Sequence, residues 1–156
     1  MVIGISSDHG GFKLKQYILE NKEKLEELVG QELIIRDYGT DNDETSDYPD
    51  FASKIAEAYQ EGLIEKGILI CKTGHGMVIT VNKFKGIRGS LANSIESIIK
   101  GVKDDDINML CLAANEVDEI IALDKIAAFL VTEFLDEGNY KRRKEKILEI
   151  EDKNFK

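Results

Sequence analysis

The sequence predicts an α/β fold in which a parallel β-sheet is covered by helices on both faces. Short runs of β-branched and other apolar residues alternate with longer segments that carry apolar residues at the helical period. The only proline lies at position 49, and no linker, repeat or low-complexity segment divides the chain. Residues 1–156 are therefore expected to form one domain, a length that suits a single hydrophobic core.

Five apolar runs have the length and composition of buried strands. They cover residues 2–6, 33–35, 67–70, 87–91 and 109–113. Six further segments show a helical pattern. They cover residues 12–29, 51–59, 77–83, 94–102, 116–134 and 141–150. Residues 37–49 are rich in Asp, Gly, Asn and Ser, so they are expected to form a loop. Strands that alternate with helices in this way build a parallel sheet.

Composition and charge exclude several classes of protein. The net charge of −9 argues against a surface for nucleic acid or anionic membrane, because phosphate groups attract Lys and Arg patches. No run approaches the ~18 apolar residues that a membrane span needs. The first residues, MVIGISSDHGG, lack the pattern of a signal peptide, and two cysteines make no disulfide framework. We therefore expect a cytoplasmic protein in a reducing environment.

Polar, glycine-rich loops follow the first and third predicted strands. They read SSDHGG at residues 6–11 and CKTGHG at residues 71–76. Because parallel sheets bind ligands beyond the carboxyl ends of their strands, these two loops are expected to face each other. Glycines before a helix can point N–H groups at an oxyanion. The same positive field, with Lys72 adjacent, favours a thiolate at Cys71 that could act as base or nucleophile.

Structural explanations compete for the same residues. A lone cysteine at a strand end is usually a core residue, which applies to Cys71 and more strongly to Cys111 in the middle of a strand. His9 could be a polar loop residue, and His75 is expected to be exposed. The acidic run at residues 104–106 is expected to be a solvated loop. Neither glycine-rich loop has the ligand spacing of a metal site.

Several motifs together give a resemblance to a known family. They are SDHGGFKLK, YGT followed by SDYPDFA, GILICKTGHGM followed by NKFKGIR, and EGNYKRRKEKI. In this order they resemble the type B ribose-5-phosphate isomerases and the related galactose-6-phosphate isomerases over nearly the whole chain. The resemblance implies a Rossmann-like sheet of five parallel strands and a homodimer or homotetramer with active sites between subunits. The terminal helix, which offers few apolar residues to its own domain, would then reach a partner subunit.

The resemblance also implies an activity and residue roles. Family members interconvert aldose and ketose phosphates through a cis-enediolate, with no metal or other cofactor. The base that moves the proton is assigned to Cys71, since some members use a glutamate where this chain has Met77. Thr73 would bond a substrate oxygen. The implied binding groups are the backbone N–H groups of Lys72, Thr73, Gly74, His75 and Gly76 for the enediolate, Asp8 and Tyr48 for sugar hydroxyls, and His9 and Arg143 for phosphate.

The chain departs from the family pattern at several positions. A histidine–asparagine pair that opens the sugar ring from the partner subunit aligns with Asp104 and Asp105. Two phosphate-binding arginines align with Asn115 and Asn139, and Lys72 stands where glycine is usual. The groups that the resemblance expects for ring opening and phosphate binding are therefore altered more than the groups around Cys71.

Three hypotheses follow from this pattern. The first is an active isomerase with altered substrate choice, in which Asp104 is the ring-opening acid or base with its proton affinity raised by its acidic neighbours. In the same hypothesis the substrate, phosphorylated or not, is instead already open-chain. The second is the cysteine-side subunit of a hetero-oligomer with a paralogous subunit. The third is a non-catalytic sugar-binding or regulatory protein, which would need no base at Cys71.

Overall fold

The computed structural model describes residues 1–155 and contains one five-stranded sheet. Its strands are β1 (Val2–Ser7), β2 (Ile34–Asp37), β3 (Lys66–Cys71), β4 (Gly89–Leu91) and β5 (Met109–Ala113). All neighbouring strands are parallel, in the order β2-β1-β3-β5-β4. The prediction of a five-stranded parallel sheet is confirmed. All strands finish on one side, here called the carboxyl end of the sheet, and begin at the opposite amino end.

Helices cover both faces of this sheet. Within residues 1–155 they are α1 (Phe12–Glu20), α2 (Lys22–Val29), α3 (Tyr48–Gln60), α4 (His75–Val81), α5 (Ile95–Asp105), α6 (Glu119–Val131) and α7 (Gly138–Asn154). One face packs against α1, α2, α5 and α6, and the other packs against α3 and α4. The predicted three-layer arrangement is thus confirmed. None of the helices just named is long and apolar enough to cross a membrane.

The central strand β3 supplies side chains to two cores. Ile68 and Ile70 are buried on the face of α1 and α6, and Leu69 is buried on the face of α3 and α4. Successive side chains of a strand point to opposite faces, so a strand covered on both sides is a continuous apolar run. Each such side chain contributes roughly 1.5–3 kcal/mol by leaving water.

Two of the helix boundaries that differ from the prediction have clear local causes. The first helical segment breaks at Asn21, whose side-chain amide donates to the Tyr17 carbonyl at 2.8 Å and ends α1. Asparagine competes for backbone hydrogen bonds in this way and is therefore a poor interior helix residue. The helix α3 begins at Tyr48, inside the expected loop, with Pro49 in its first turn. Proline suits that position because its fixed φ is helical and its missing N–H has no partner to lose.

The terminal helix α7 starts earlier than predicted and packs on its own chain through polar contacts. Lys144 Nζ lies 2.7 Å from Asp106 Oδ2, and the buried Glu151 carboxylate accepts the Gly86 N–H at 3.1 Å. Asp106 precedes β5 and Gly86 precedes β4, so α7 lies at the amino end of the sheet. Apolar side chains add little, since only Ile147 is half-buried between these contacts. Contact of α7 with a partner subunit stays a prediction.

Candidate active site

Two loops meet at the carboxyl end of the sheet between β1 and β3. The loop after β1 turns toward the face of α1, and the loop after β3 turns toward the face of α4. Neighbouring strands whose connections leave to opposite faces open a crevice, where α/β sheets bind ligands. The loops are in close contact, because a Cβ on Gly10 would lie 2.5 Å from Lys72 Cγ and one on Gly11 would collide with the Ile70 carbonyl. The two loops adjoin, as the sequence predicts.

Cys71 ends β3 with its thiol turned into the start of α4. Its side chain is 5% exposed, and its sulfur accepts a hydrogen bond from the Gly74 N–H at 3.0 Å. Gly74 precedes α4 with a φ of 76°, in the left-handed region that residues with a Cβ rarely adopt. An N–H aimed at a sulfur is the kind of contact that stabilises a thiolate. The core burial and the chemical role proposed for Cys71 are therefore compatible.

The start of α4 adds hydrogen-bond donors beside this thiol. The N–H groups of His75 and Gly76 belong to the first helical turn, where no carbonyl of the same helix can accept them. The ring of Tyr48 lies against Gly76, with ring carbons 2.8 Å from the place that a Cβ would take. Tyr48 is 41% exposed. The crevice thus combines a thiol, amide donors suited to an oxyanion and a phenol.

Asp8 and His9 form the wall on the β1 side. The buried Asp8 carboxylate accepts the N–H groups of Gly10 at 2.9 Å and Gly11 at 3.2 Å, which shapes the turn into α1. His9 makes two hydrogen bonds with Ser46. The His9 N–H donates to Ser46 Oγ at 3.1 Å, and the Ser46 N–H donates to His9 Nδ1 at 3.2 Å. An acceptor at Nδ1 leaves the proton of a neutral imidazole on Nε2.

Lys15 supports the loop that carries Ser46, a role that sequence reasoning missed. Lys15 is 1% exposed, and its Nζ lies 2.6 Å from Asp37 Oδ2 and donates to the Thr40 carbonyl at 2.6 Å. A lysine this deeply buried is stable only when it is paired. The signal was its place on the apolar face of α1, three residues before Ile18, where a charge needs a partner. Ser46 itself offered no comparable signal.

Cys111 has a different environment from Cys71. It is fully buried in β5, and this burial raises the pKa of its thiol well above the usual range, with negative charge at Cys71 raising it further. Cys111 pairs in register with Leu69, two residues before Cys71, so both thiols lie on one face of the sheet. Of the two free cysteines, Cys71 therefore has hydrogen-bond donors beside its sulfur, whereas burial in the core keeps Cys111 neutral.

Thr73, His75 and Asn115 lie on the β5 side of the same loop. The Asn115 N–H donates to the Lys72 carbonyl at 3.1 Å. Thr73 and the exposed His75 line a cleft of about 200 Å³ together with Glu116, which the sequence had not indicated. Within residues 1–155, no group of three or more His, Cys, Asp or Glu side chains is arranged to hold a metal ion.

Four of the residues named from the sequence lie far from this crevice in the same chain. Asp104 and Asp105, expected in a solvated loop, form the end of α5, which runs further than predicted and leads to the start of β5. Asn139 and Arg143 line a cleft of about 420 Å³ at the start of α7. All four belong to the amino end of the sheet. The strand β3 separates the two ends by about 16 Å, at ~3.3 Å per residue.

Comparison with known proteins shows which family carries this crevice. Residues 3–147 match the family model described as Ribose/Galactose Isomerase. The chain belongs to this family. The ribose/galactose isomerase relatives include ribose-5-phosphate isomerase B of Escherichia coli, which is 34% identical over 149 residues, 96% of this chain and 95% of that protein.

Solved structures of the family have the same fold. Ribose-5-phosphate isomerase B of Clostridium thermocellum superposes with a TM-score of 0.87 at 40% identity, covering 98% of this chain and 99% of that one. The enzyme of Mycoplasma genitalium with bound ribulose-5-phosphate gives 0.83 at 32% identity, covering 98% and 97%. The family resemblance and the fold expected from it are confirmed, and so is the prediction of an isomerase. The roles of individual residues stay predictions.

Proposed function

We propose that the chain is an aldose–ketose isomerase of sugar phosphates that works through a cis-enediolate with Cys71 as its base. The observation that carries this proposal is the Gly74 N–H held on Cys71 Sγ at 3.0 Å, in the crevice between β1 and β3. A binding protein has no need of a thiol supported in this way. Family membership and the bound ribulose-5-phosphate of the Mycoplasma genitalium enzyme support the choice of substrate class.

The proposed reaction moves one proton between two neighbouring carbons and one proton between the oxygens that those carbons carry. The Cys71 thiolate takes the proton from the hydroxyl-bearing carbon beside the carbonyl, and the electron pair moves onto the carbonyl oxygen. The N–H groups at the start of α4 stabilise the enediolate oxygen that forms. The Cys71 thiol then returns the proton to the neighbouring carbon while the hydroxyl proton passes from one oxygen of the enediolate to the other, which leaves both oxygens uncharged and the thiolate as it began. Thr73 binds a substrate oxygen, and Asp8 and Tyr48 hold hydroxyl groups of the sugar.

The proposed site is completed by a second subunit. Asp104, Asp105, Asn139 and Arg143 lie at the amino end of the sheet, so one chain cannot bring them to Cys71. In a homodimer, or a homotetramer built from such dimers, the amino end of one subunit faces the crevice of its partner. Asp104 then acts as the acid or base that opens a sugar ring, or the substrate enters already open. His9 on one side and Arg143 on the other bind the phosphate.

A second candidate function is the cysteine-side subunit of a hetero-oligomeric galactose-6-phosphate isomerase. The observation that favours it lies at the amino end, beside Arg143. There, Asn139 stands where the resemblance expects an arginine, and the Asp104–Asp105 pair stands where it expects histidine and asparagine. A paralogous subunit that carries a histidine and arginines would supply those groups. In that arrangement the purified chain alone is inactive, which separates it from the homo-oligomer.

The test is isomerisation by the purified protein, followed by NMR in D₂O. Phosphates of ribose, allose, galactose and tetrulose are offered beside the free sugars, with Cys71→Ala as the control. We expect turnover of at least one sugar phosphate, with solvent deuterium entering the carbon where the proton is returned, and a dimer or larger mass by light scattering. A 17.5 kDa species or no turnover of any sugar would refute the homo-oligomeric isomerase.

A further inference from the structure

The side chain of Lys72 lies across the loop that carries His9. A Cβ built on Gly10 would be 2.5 Å from Lys72 Cγ and 3.3 Å from its Cε, so glycine at position 10 is what lets the lysine stem pass. The Cε atom, one bond from the ammonium group, therefore lies beside the loop after β1. Among residues 1–155 the ammonium group has no carboxylate, carbonyl or aromatic ring as a partner, and the residue is exposed. A cation held in place without a counter-charge is suited to an anion from solution.

His9 supplies a second donor at the same place. The Ser46 N–H occupies Nδ1 at 3.2 Å, and Ser46 Oγ holds the His9 backbone at 3.1 Å. The imidazole is thereby fixed with Nε2–H as its free donor. The carboxylate of Asp8, which precedes His9 in the chain, is already bound at Oδ1 by the N–H groups of Gly10 and Gly11. The first turn of α1, which follows directly, carries no acidic residue.

We propose that the Lys72 ammonium joins the His9 Nε2–H, the phosphate contact that the family resemblance already implies, to form an anion clamp within one subunit that binds the phosphate group of the substrate. The proposal rests on the proposed function for the identity of that substrate. It accounts for how a chain with Asn115 beside the crevice and Asn139 at its amino end binds a dianion, since Lys72 adds the charge from the loop after β3 itself. The clamp selects phosphorylated over free sugars. Ser46 is a positioning residue that sets which imidazole nitrogen donates.

Binding of inorganic phosphate tests the clamp without any turnover. Isothermal calorimetry and ³¹P NMR give its dissociation constant for the unmodified protein and for Lys72→Met, Lys72→Arg and Lys83→Met. Lys83 is exposed, and its replacement removes the same charge outside the crevice. We expect Lys72→Met to weaken phosphate binding about tenfold or more, Lys72→Arg to restore most of it, and Lys83→Met to leave it unchanged. Equal affinity in Lys72→Met and the unmodified protein would overturn the proposal.

A pair of histidine variants tests the direction of the second donor. Glutamine places an amide N–H near the position of Nε2, and asparagine places its amide near Nδ1. His9→Gln should therefore retain more phosphate affinity than His9→Asn, and the reverse order would overturn the role of Nε2. The ¹⁵N shifts of His9 should report the Nε2–H tautomer in the free protein.

Kinetics separate the clamp from an effect of Lys72 on the neighbouring Cys71. The clamp predicts that Lys72→Met raises KM for a sugar phosphate in proportion to the lost phosphate affinity, while slower Cys71 alkylation would report the separate effect of the adjacent charge on the thiol. A lower kcat and slower alkylation with unchanged phosphate affinity would instead assign Lys72 to Cys71, and would overturn the clamp. If no sugar is isomerised but Lys72→Met still weakens phosphate binding, the clamp stands and the proposed isomerase fails.

Discussion

The two ends of the sheet carry different kinds of polar residues. At the carboxyl end, Cys71, His9 and Asp8 are held by backbone N–H groups or by a loop tied to a buried lysine. At the amino end, Arg143 and Asn139 sit on an exposed cleft, and none of the side-chain contacts within residues 1–155 fixes them. The first set is preorganised within one chain, as catalytic groups need to be. In the proposed assembly, the second set acquires a fixed geometry when a partner subunit covers it.

This difference separates the groups of the proposed site that one chain holds in place from those for which we propose a partner subunit. Proton transfer needs a base and an oxyanion site in fixed relation, and the groups that we propose for both lie on the loop after β3. Ring opening and recognition of the distal part of the substrate tolerate groups from a partner subunit. Of the departures from the family pattern, Asp104, Asp105 and Asn139 lie at the amino end, whereas Lys72 and Asn115 follow strands at the carboxyl end. Choice of the sugar, apart from selection of its phosphate by the clamp, is therefore expected to depend on the amino end, and proton transfer on the carboxyl end.

The largest effect is expected from removing the base. Cys71→Ala should reduce isomerisation by at least about 10²-fold, because general acid–base catalysis contributes about 10²–10⁴-fold. The matched control is Cys111→Ala, which removes the same atom from the same face of the sheet but from the buried middle of β5. It should keep most of the activity. Both variants are to be compared at equal folded fraction, measured by circular dichroism. Full activity in Cys71→Ala would exclude this residue as the base.

The next effect is recovery of activity between two inactive chains. If each site joins Cys71 of one subunit to Arg143 of the other, co-expressed Cys71→Ala and Arg143→Ala chains with different tags form a hetero-dimer with one intact site. Its activity should be about half that of the unmodified dimer. The unmodified chain paired with a Cys71→Ala/Arg143→Ala double variant carries the same two substitutions but spoils both sites, so it should be nearly inactive. Equal activities of the two hetero-dimers would show that Arg143 of one subunit does not complete the site around Cys71 of the other.

Much of the fold could be predicted because burial leaves a one-dimensional pattern. The apolar runs of β1, β3 and β5 and the helical periods between them imply a parallel sheet, and a parallel sheet implies that the loops after β1 and β3 adjoin. The contacts of Ser46 with His9 and of Lys15 with Thr40 were not predictable, because they join residues 37 and 25 positions apart through tertiary packing. The side-chain path of Lys72 over Gly10 depends on the same packing. That residues of α5 and α7 lie at the amino end of the sheet could be seen only once the sheet was assembled.

A smaller effect is expected from restoring charge at the amino end. Asn139→Arg exchanges a neutral amide bond to phosphate for a charge-assisted bond, a difference of about 1 kcal/mol, or about fivefold in KM for a sugar phosphate. The matched control is Asn154→Arg, which adds the same charge at the far end of α7. A fivefold lower KM in the first variant alone would place the phosphate between the crevice of one subunit and the amino end of its partner. Equal changes in both variants would reduce the effect to net charge.

The smallest effect concerns the pH dependence of stability at Cys111. Burial raises the pKa of this thiol in the folded protein above its value in the unfolded chain, which is near ~8.5. The folded state therefore holds the proton more tightly, and the contribution of the neutral thiol is fully present below pH ~8.5. As pH rises above that value, the unfolded chain loses its proton first, so the free energy of unfolding falls by up to ~1.4 kcal/mol per pH unit until the folded pKa is passed.

Urea unfolding from pH 7 to 10 in a reducing buffer measures this contribution as a difference between two proteins. Subtracting the curve of Cys111→Ala from that of the unmodified protein removes the contributions that the two proteins share and leaves that of Cys111, including its coulombic coupling to Cys71. The stability advantage of the unmodified protein should be constant up to about pH 8 and shrink above it. A difference that stays constant to pH 10 would mean that Cys111 is not held neutral. In that case the two thiols would differ less than their places in the sheet indicate, and Cys71 would lose part of its distinction as the reactive one.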